Sequence, residues 1–133
     1  PLLDRIDLHV EVTPVSYDEL SNHEYTAETS EQIVERVIRA RELQNKRFSD
    51  QVGIFCNAQM PSRMVRDVCQ LTPAGANLLK TAMSRLQLSA RAYDRILKVA
   101  RTGADLAGSE DIKIEHLAEA IQYRSLDREG WAG

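Results

Sequence analysis

The chain has 133 residues, 43% hydrophobic and 28% charged, enough for one modest core. Its formal net charge of −3 argues against a free-standing nucleic-acid module, which is usually basic, but not against DNA contact by a larger assembly containing this piece. Cys56 and Cys69 are too few and too far apart for a zinc knuckle or disulfide scaffold, and no apolar run reaches membrane-spanning length, so a reducing cytoplasm and no membrane contact are expected.

The chain opens on Pro1 without an initiator methionine, and an excised piece of a longer protein is expected. Ile6, Leu8, Val10 and Val12 alternate with Asp7, His9 and Glu11, the period of a half-buried strand that Thr13-Pro14 ends. A single strand cannot satisfy its own backbone. Without its sheet, this stretch should be irregular or borrow a partner. His9 falls on the polar face with no second ligand at metal spacing, so a solvated imidazole is expected. Residues 15–28 show no period and read as loop, with a short turn around residues 17–20.

Thr29 and Gln32 form a capping box that starts a helix reaching about Phe48. Ile33, Val37, Ala40 or Arg41, Gln44 and Phe48 give it a narrow apolar stripe. Glu35 with Arg39 and Glu42 with Lys46 are favourable pairs one turn apart, as on an exposed helix. A DNA- or partner-facing role for Arg36, Arg39, Arg41, Lys46 and Arg47 is the alternative, but the acids nearly balance the bases. Residues 49–59 should be loop, with Ile54-Phe55-Cys56 as an apolar anchor. Cys56 has no histidine nearby in sequence and reads as an inert thiol. Pro61-Ser62 opens a short helix to about Gln70, with Met64, Val65, Val68 and Cys69 inward. Thr72-Pro73 is an N-cap followed by proline at the first helical position. That helix should reach Leu86 or Gln87 and form a tight hairpin with the next one.

The central helix starts at the N-cap Ser89 and stops at Gly108. On a helical wheel, Ala92, Tyr93, Ile96, Leu97, Val99, Ala100, Gly103, Ala104 and Leu106 fill about half the circumference. Arg91, Arg95, Lys98, Thr102 and Asp105 form a polar stripe opposite. Spacing alone makes Arg91 a solvated side chain. Yet a cation in a helix's first turn is locally unfavourable, which hints at a task outside the helix. After Gly108, Ile114, Leu117, Ala118 and Ile121 mark a last helix, beside whose stripe His116 packs or caps. Residues 125–133, with the single Trp131, should fray. The expected fold is mainly α, a small helical bundle with an irregular N-terminal arm. Its expected divisions are 1–28, 29–60, 61–126 and 127–133.

Residues 88–102, from Leu88-Ser89-Ala90-Arg91-Ala92-Tyr93-Asp94-Arg95 to Ala100-Arg101-Thr102, resemble the sensor-2 helix of magnesium-chelatase-like AAA+ ATPases of the ComM/YifB type. Ile114-Glu115-His116-Leu117-Ala118-Glu119-Ala120-Ile121-Gln122-Tyr123-Arg124 is similar to the end of that family's lid domain. Pro1-Leu2-Leu3-Asp4-Arg5-Ile6-Asp7-Leu8 resembles its arginine-finger segment. The three matches occur in family order.

The resemblance implies that Arg91 is the sensor-2 arginine and Arg5 the finger, aimed at a neighbouring subunit's nucleotide. Arginine suits both tasks, being always charged and planar enough to match phosphate oxygens. Arg95, one turn on, either supports the nucleotide site or is solvated. No Gly-x-x-x-x-Gly-Lys-Ser/Thr loop is present, nor an acidic pair after an apolar strand. The fragment alone is thus expected to bind no nucleotide or metal firmly and not to hydrolyse ATP. The whole protein would use ATP and Mg2+. By analogy its partners are its own N-terminal ATPase core, identical neighbours in a hexameric ring, and DNA, in branch migration or competence. The lid of a magnesium chelatase subunit is one alternative, and a non-enzymatic α-helical interaction domain another. A helix-turn-helix reader ranks last, because the second helix of the hairpin is too apolar for a groove.

Overall fold

The structure, a computed structural model, describes residues 2–24 and 26–124. Among them it is all helical: a 3-10 turn at Leu3–Arg5, α1 (Tyr17–Ser21), α2 (Ser30–Arg47), a 3-10 turn at Asn57–Gln59, α3 (Ser62–Val68), α4 (Pro73–Leu86), α5 (Ala90–Leu106) and α6 (Ile114–Gln122). The expected frayed tail lies outside the described residues.

The helix boundaries follow local chemistry. Gln32 N–H donates to Thr29 Oγ1 at 3.2 Å and Thr29 N–H to Gln32 Oε1 at 2.9 Å, closing the capping box. Thr72 Oγ1 accepts from Gly75 N–H at 3.1 Å, and Ser89 Oγ from Ala92 N–H at 3.2 Å. Gln87, with φ 49°, turns the chain between α4 and α5. Gly108, with φ 70°, ends α5. There Ser109 N–H bonds Ala104 O at 2.8 Å and Gly108 N–H bonds Asp105 O at 3.1 Å, the paired closure of a Schellman stop. His116 caps as well as packs: Lys113 N–H donates to its Nδ1 at 3.0 Å.

α5 is the axis of the core. Its Ala92, Ile96, Leu97, Ala100 and Ala104 are buried, and α2, α3 and α6 pack around it. Leu79 of α4, Val65 of α3, Phe48 at the end of α2 and Leu117 of α6 complete the cluster. The predicted hairpin is tight only at its turn, because α4 packs on α6 rather than along α5. A Cβ at Gly75 would lie 3.7 Å from Leu117 Cδ2, so the start of α4 abuts α6 closely.

Four expectations need correction. The stripe on α5 is not a uniform solvated face: Asp105 is 2% exposed, while Tyr93 and Leu106 from the supposed apolar arc are exposed. The reason is a polar cluster between α2 and α5. Arg47 donates to both Asp105 carboxylate oxygens at 2.7 and 2.9 Å and to Asn57 Oδ1 at 2.8 Å. Asn57 Nδ2 donates to Asp105 at 2.9 Å and to Thr102 Oγ1 at 3.1 Å, and Asn57 N–H donates to Gln44 at 2.9 Å. Second, only the C-terminal half of α2 is packed, through Ala40, Gln44 and Phe48. Ile33 and Val37 stay exposed. Third, of the ion pairs expected on that helix, neither Glu35–Arg39 nor Glu42–Lys46 forms. Arg36 instead pairs with Glu28. Fourth, His9 is buried, whereas Ile6, Leu8, Val10 and Val12 are exposed. The arm is extended without pairing into a strand and is held by polar contacts, so its apolar residues stay exposed among the described residues.

The two thiols differ as their surroundings require. Cys56 is half-buried and Cys69 is buried. Burial pushes the Cys69 thiol up to about 11, outweighing the opposing charges of Arg101 and Arg47. Iodoacetamide at pH 8 should modify Cys56 in the native protein and spare Cys69 until unfolding. Mass spectrometry showing equal modification of both in native protein would contradict this packing.

Candidate functional site

Arg91 stands in the first turn of α5, directly after the Ser89 cap. It is exposed, and its guanidinium makes no hydrogen bond or ion pair to a described residue. The next residue, Ala92, about 100° round the same turn, is fully buried and anchors it. A rigid helix end thus presents an always-charged fork to the outside.

Arg5 closes the 3-10 turn Leu3–Arg5. It too is exposed, with no side-chain partner among the described residues. The turn itself is well held. Arg5 N–H donates to Leu2 O at 3.1 Å and Ile6 N–H to Leu3 O at 3.2 Å. The turn also packs on α5. Asp7, two residues beyond Arg5, pairs with Arg95 of α5. Arg95 is therefore neither freely solvated nor idle: it ties the arm to α5. The structure joins Arg95 to the segment carrying Arg5 and records no contact between Arg5 and Arg91.

Between the arm, α5 and α6 lies a groove of about 330 Å³, with Leu8, Val99 and Leu106 as apolar walls and Arg95, Lys98 and Glu119 as charged ones. Lys98 Nζ donates to Ala58 O at 3.1 Å. Among the described residues, no three His, Cys, Asp or Glu side chains gather as metal ligands. No described helix is long and apolar enough to cross a membrane.

Sequence patterning missed two buried arginines that build this region. Arg101 donates to Glu110 O and Ser109 O, each at 2.8 Å, and lies 3.3 Å from Asp105, so it holds the loop after α5. Arg124 is 0% exposed and donates to Ile6 O and, at 3.0 Å, to Leu3 O. His9 adds two bonds: Nε2 lies 3.2 Å from Leu3 O, and its N–H donates to Tyr123 O at 2.7 Å. The one available signal was a charged residue immediately after the apolar stripe of α6.

The family described as magnesium chelatase, subunit ChlI C-terminal, matches residues 27–124. Competence protein ComM of Haemophilus influenzae is 42% identical over 128 residues, covering 96% of this chain and 24% of ComM. An uncharacterized protein YifB of Escherichia coli is 40% identical with the same coverage. An uncharacterized protein of Mycobacterium tuberculosis is 35% identical over 124 residues, covering 93% of this chain and 24% of that protein. The chain thus spans about a quarter of the length of these relatives.

Proposed function

This chain belongs to the magnesium chelatase ChlI C-terminal family, and from that premise we propose that it is the lid of a ring-forming AAA+ ATPase that acts on DNA. Arg91 acts as sensor 2 on the ATP of its own subunit, and Arg5 as the arginine finger on a neighbour's. Arg95 borders the nucleotide site and is held there by Asp7. The observation that supports this reading is that Arg5 and Arg91, the two arginines the family resemblance singles out, are both exposed with no described partner. Both stand on elements of the α5 face, the turn of Arg5 being packed on α5. Arg39, Arg41, Arg63, Arg66 and Arg85 share that exposure, so the resemblance and not exposure alone selects Arg5 and Arg91.

Phosphoryl transfer is driven mostly by charge stabilisation, which two such guanidinium groups can supply from outside a phosphate-binding core. That core, with Mg2+, would lie in another part of the longer protein. The exposed Ile6, Leu8, Val10 and Val12 support a missing neighbour on the arm, since they keep the alternation of a strand that completes a sheet. The acting partners are identical subunits in a hexamer and, by the family analogy, DNA, while the printed name of ComM ties that relative to competence. ATP-driven branch migration is the motor task that fits them.

Arg91→Ala in the full-length protein tests the reading. Turnover should fall on the order of a hundredfold, as for loss of one charge-stabilising donor. Unfolding stability should change by less than about 0.5 kcal/mol, because an exposed side chain without a partner is removed. Unchanged turnover would place Arg91 outside the reaction, and a stability loss above about 1 kcal/mol would make it structural.

A further inference from the structure

Taking Arg5 as the finger of the proposed ATPase, we infer that Arg124 is its positioning residue: the buried guanidinium grips the carbonyl oxygens of Leu3 and Ile6, either side of Arg5, and so fixes the finger's turn to the lid. An arginine suits this because its fork reaches two carbonyls at once, while a lysine spans one. The grip is reinforced. Leu3 O also faces His9 Nε2, the His9 N–H binds Tyr123 O next to Arg124, and Asp7 is paired with Arg95. Apart from His9, which lies on the arm itself, these anchors belong to α5 or to the residues that directly follow α6, so the turn is mounted on the helices of the lid. Arg5 itself has no described partner that would hold it in place.

A consequence follows for the ring. The lid carries Arg91 for its own subunit's nucleotide, and through Arg124 it carries the turn that aims Arg5 at the neighbour's. A lid movement set by nucleotide in one subunit is then delivered to the next as a displaced finger. The coupling needs no bond between Arg5 and Arg91, only their common mounting.

The test uses full-length protein. Arg124→Gln should lower turnover roughly a hundredfold, the effect of a misplaced but intact catalytic group, with the KM for ATP little changed. Arg124→Gln subunits are then mixed with subunits lacking the phosphate-loop lysine but holding an intact finger. Because the defect lies in the finger given to a neighbour, activity should return, as it should for Arg5→Ala subunits mixed in the same way. If the Arg5→Ala mixture recovers and the Arg124→Gln mixture does not, Arg124 serves its own subunit and the inference is overturned. If Arg5→Ala alone retains full turnover, the finger reading fails, and this inference falls with it. Should Arg124→Gln lose its helical circular dichroism, Arg124→Lys, which keeps the buried charge, is read by the same mixture and the same criteria.

Discussion

Arg5→Ala in the full-length protein should lower ATP turnover about a thousandfold, the lower range for an arginine finger. Nucleotide affinity should change far less, because the finger contributes in the transition state rather than to ground-state binding. The structure makes this substitution clean. Arg5 is exposed, and the turn around it is closed by backbone bonds and by Arg124, none of which needs the Arg5 side chain. The fold should therefore persist, and circular dichroism should match the wild type. A loss of tenfold or less in steady-state turnover would place Arg5 outside the reaction. Arg5→Lys should recover little, since an ammonium lacks the planar fork that spans two phosphate oxygens.

Asp105→Asn should destabilise the chain by about 3 kcal/mol, the lower end for breaking a buried ion pair. Asp105 is the anion between two cations, Arg47 and Arg101, and Asn57 donates to it as well. An asparagine fits the space but leaves both guanidinium groups facing a neutral amide. Arg47 is partly reached by solvent, which places the cost at the lower end. Burial by itself would raise the Asp105 pKa. The hydrogen bonds from Arg47 and Asn57 and the charges of Arg47 and Arg101 outweigh it and hold the carboxyl below the usual carboxylate range. The stabilisation is therefore complete above about pH 4, near the unfolded aspartate value, and fades as pH falls through the depressed folded value. Urea unfolding should show a wide gap between wild type and Asp105→Asn at pH 7 that narrows below about pH 4. A gap under about 1 kcal/mol at pH 7 would mean that the cluster does not hold α2 to α5.

What the sequence made legible was local. Thr29, Thr72, Ser89 and Gly108 act on backbone groups within a few residues, so their caps and stops could be placed without a fold. His116 belongs with them, because its bond to Lys113 spans three positions. The apolar spacing of α5 gave most of the core for the same reason. The remainder depends on pairs far apart in the chain. Arg47 meets Asp105 across 58 positions, and Arg124 meets Ile6 across 118. A wheel sorts residues by polarity alone. It put Asp105 on the solvent side because it could not anticipate a half-buried cation arriving from another helix. His9 failed the same way: the strand period gave its face, but the arm docks through polar bonds to Leu3 and Tyr123, which turns that face inward. Arg91 and Arg5 were named from the resemblance. Their exposure is the property the fold adds, and the proposed role requires it.

Whether Arg5 acts across a subunit boundary is directly measurable. Full-length Arg5→Ala subunits are titrated into subunits lacking the phosphate-loop lysine, each inactive alone, and ATP turnover is followed against composition, with native mass spectrometry reporting mixed rings. Turnover should rise from both pure ends to a maximum in between, because only a mixed interface joins an intact phosphate loop to an intact Arg5. Flat, background turnover at every composition, with mixed rings present, would contradict action across the boundary.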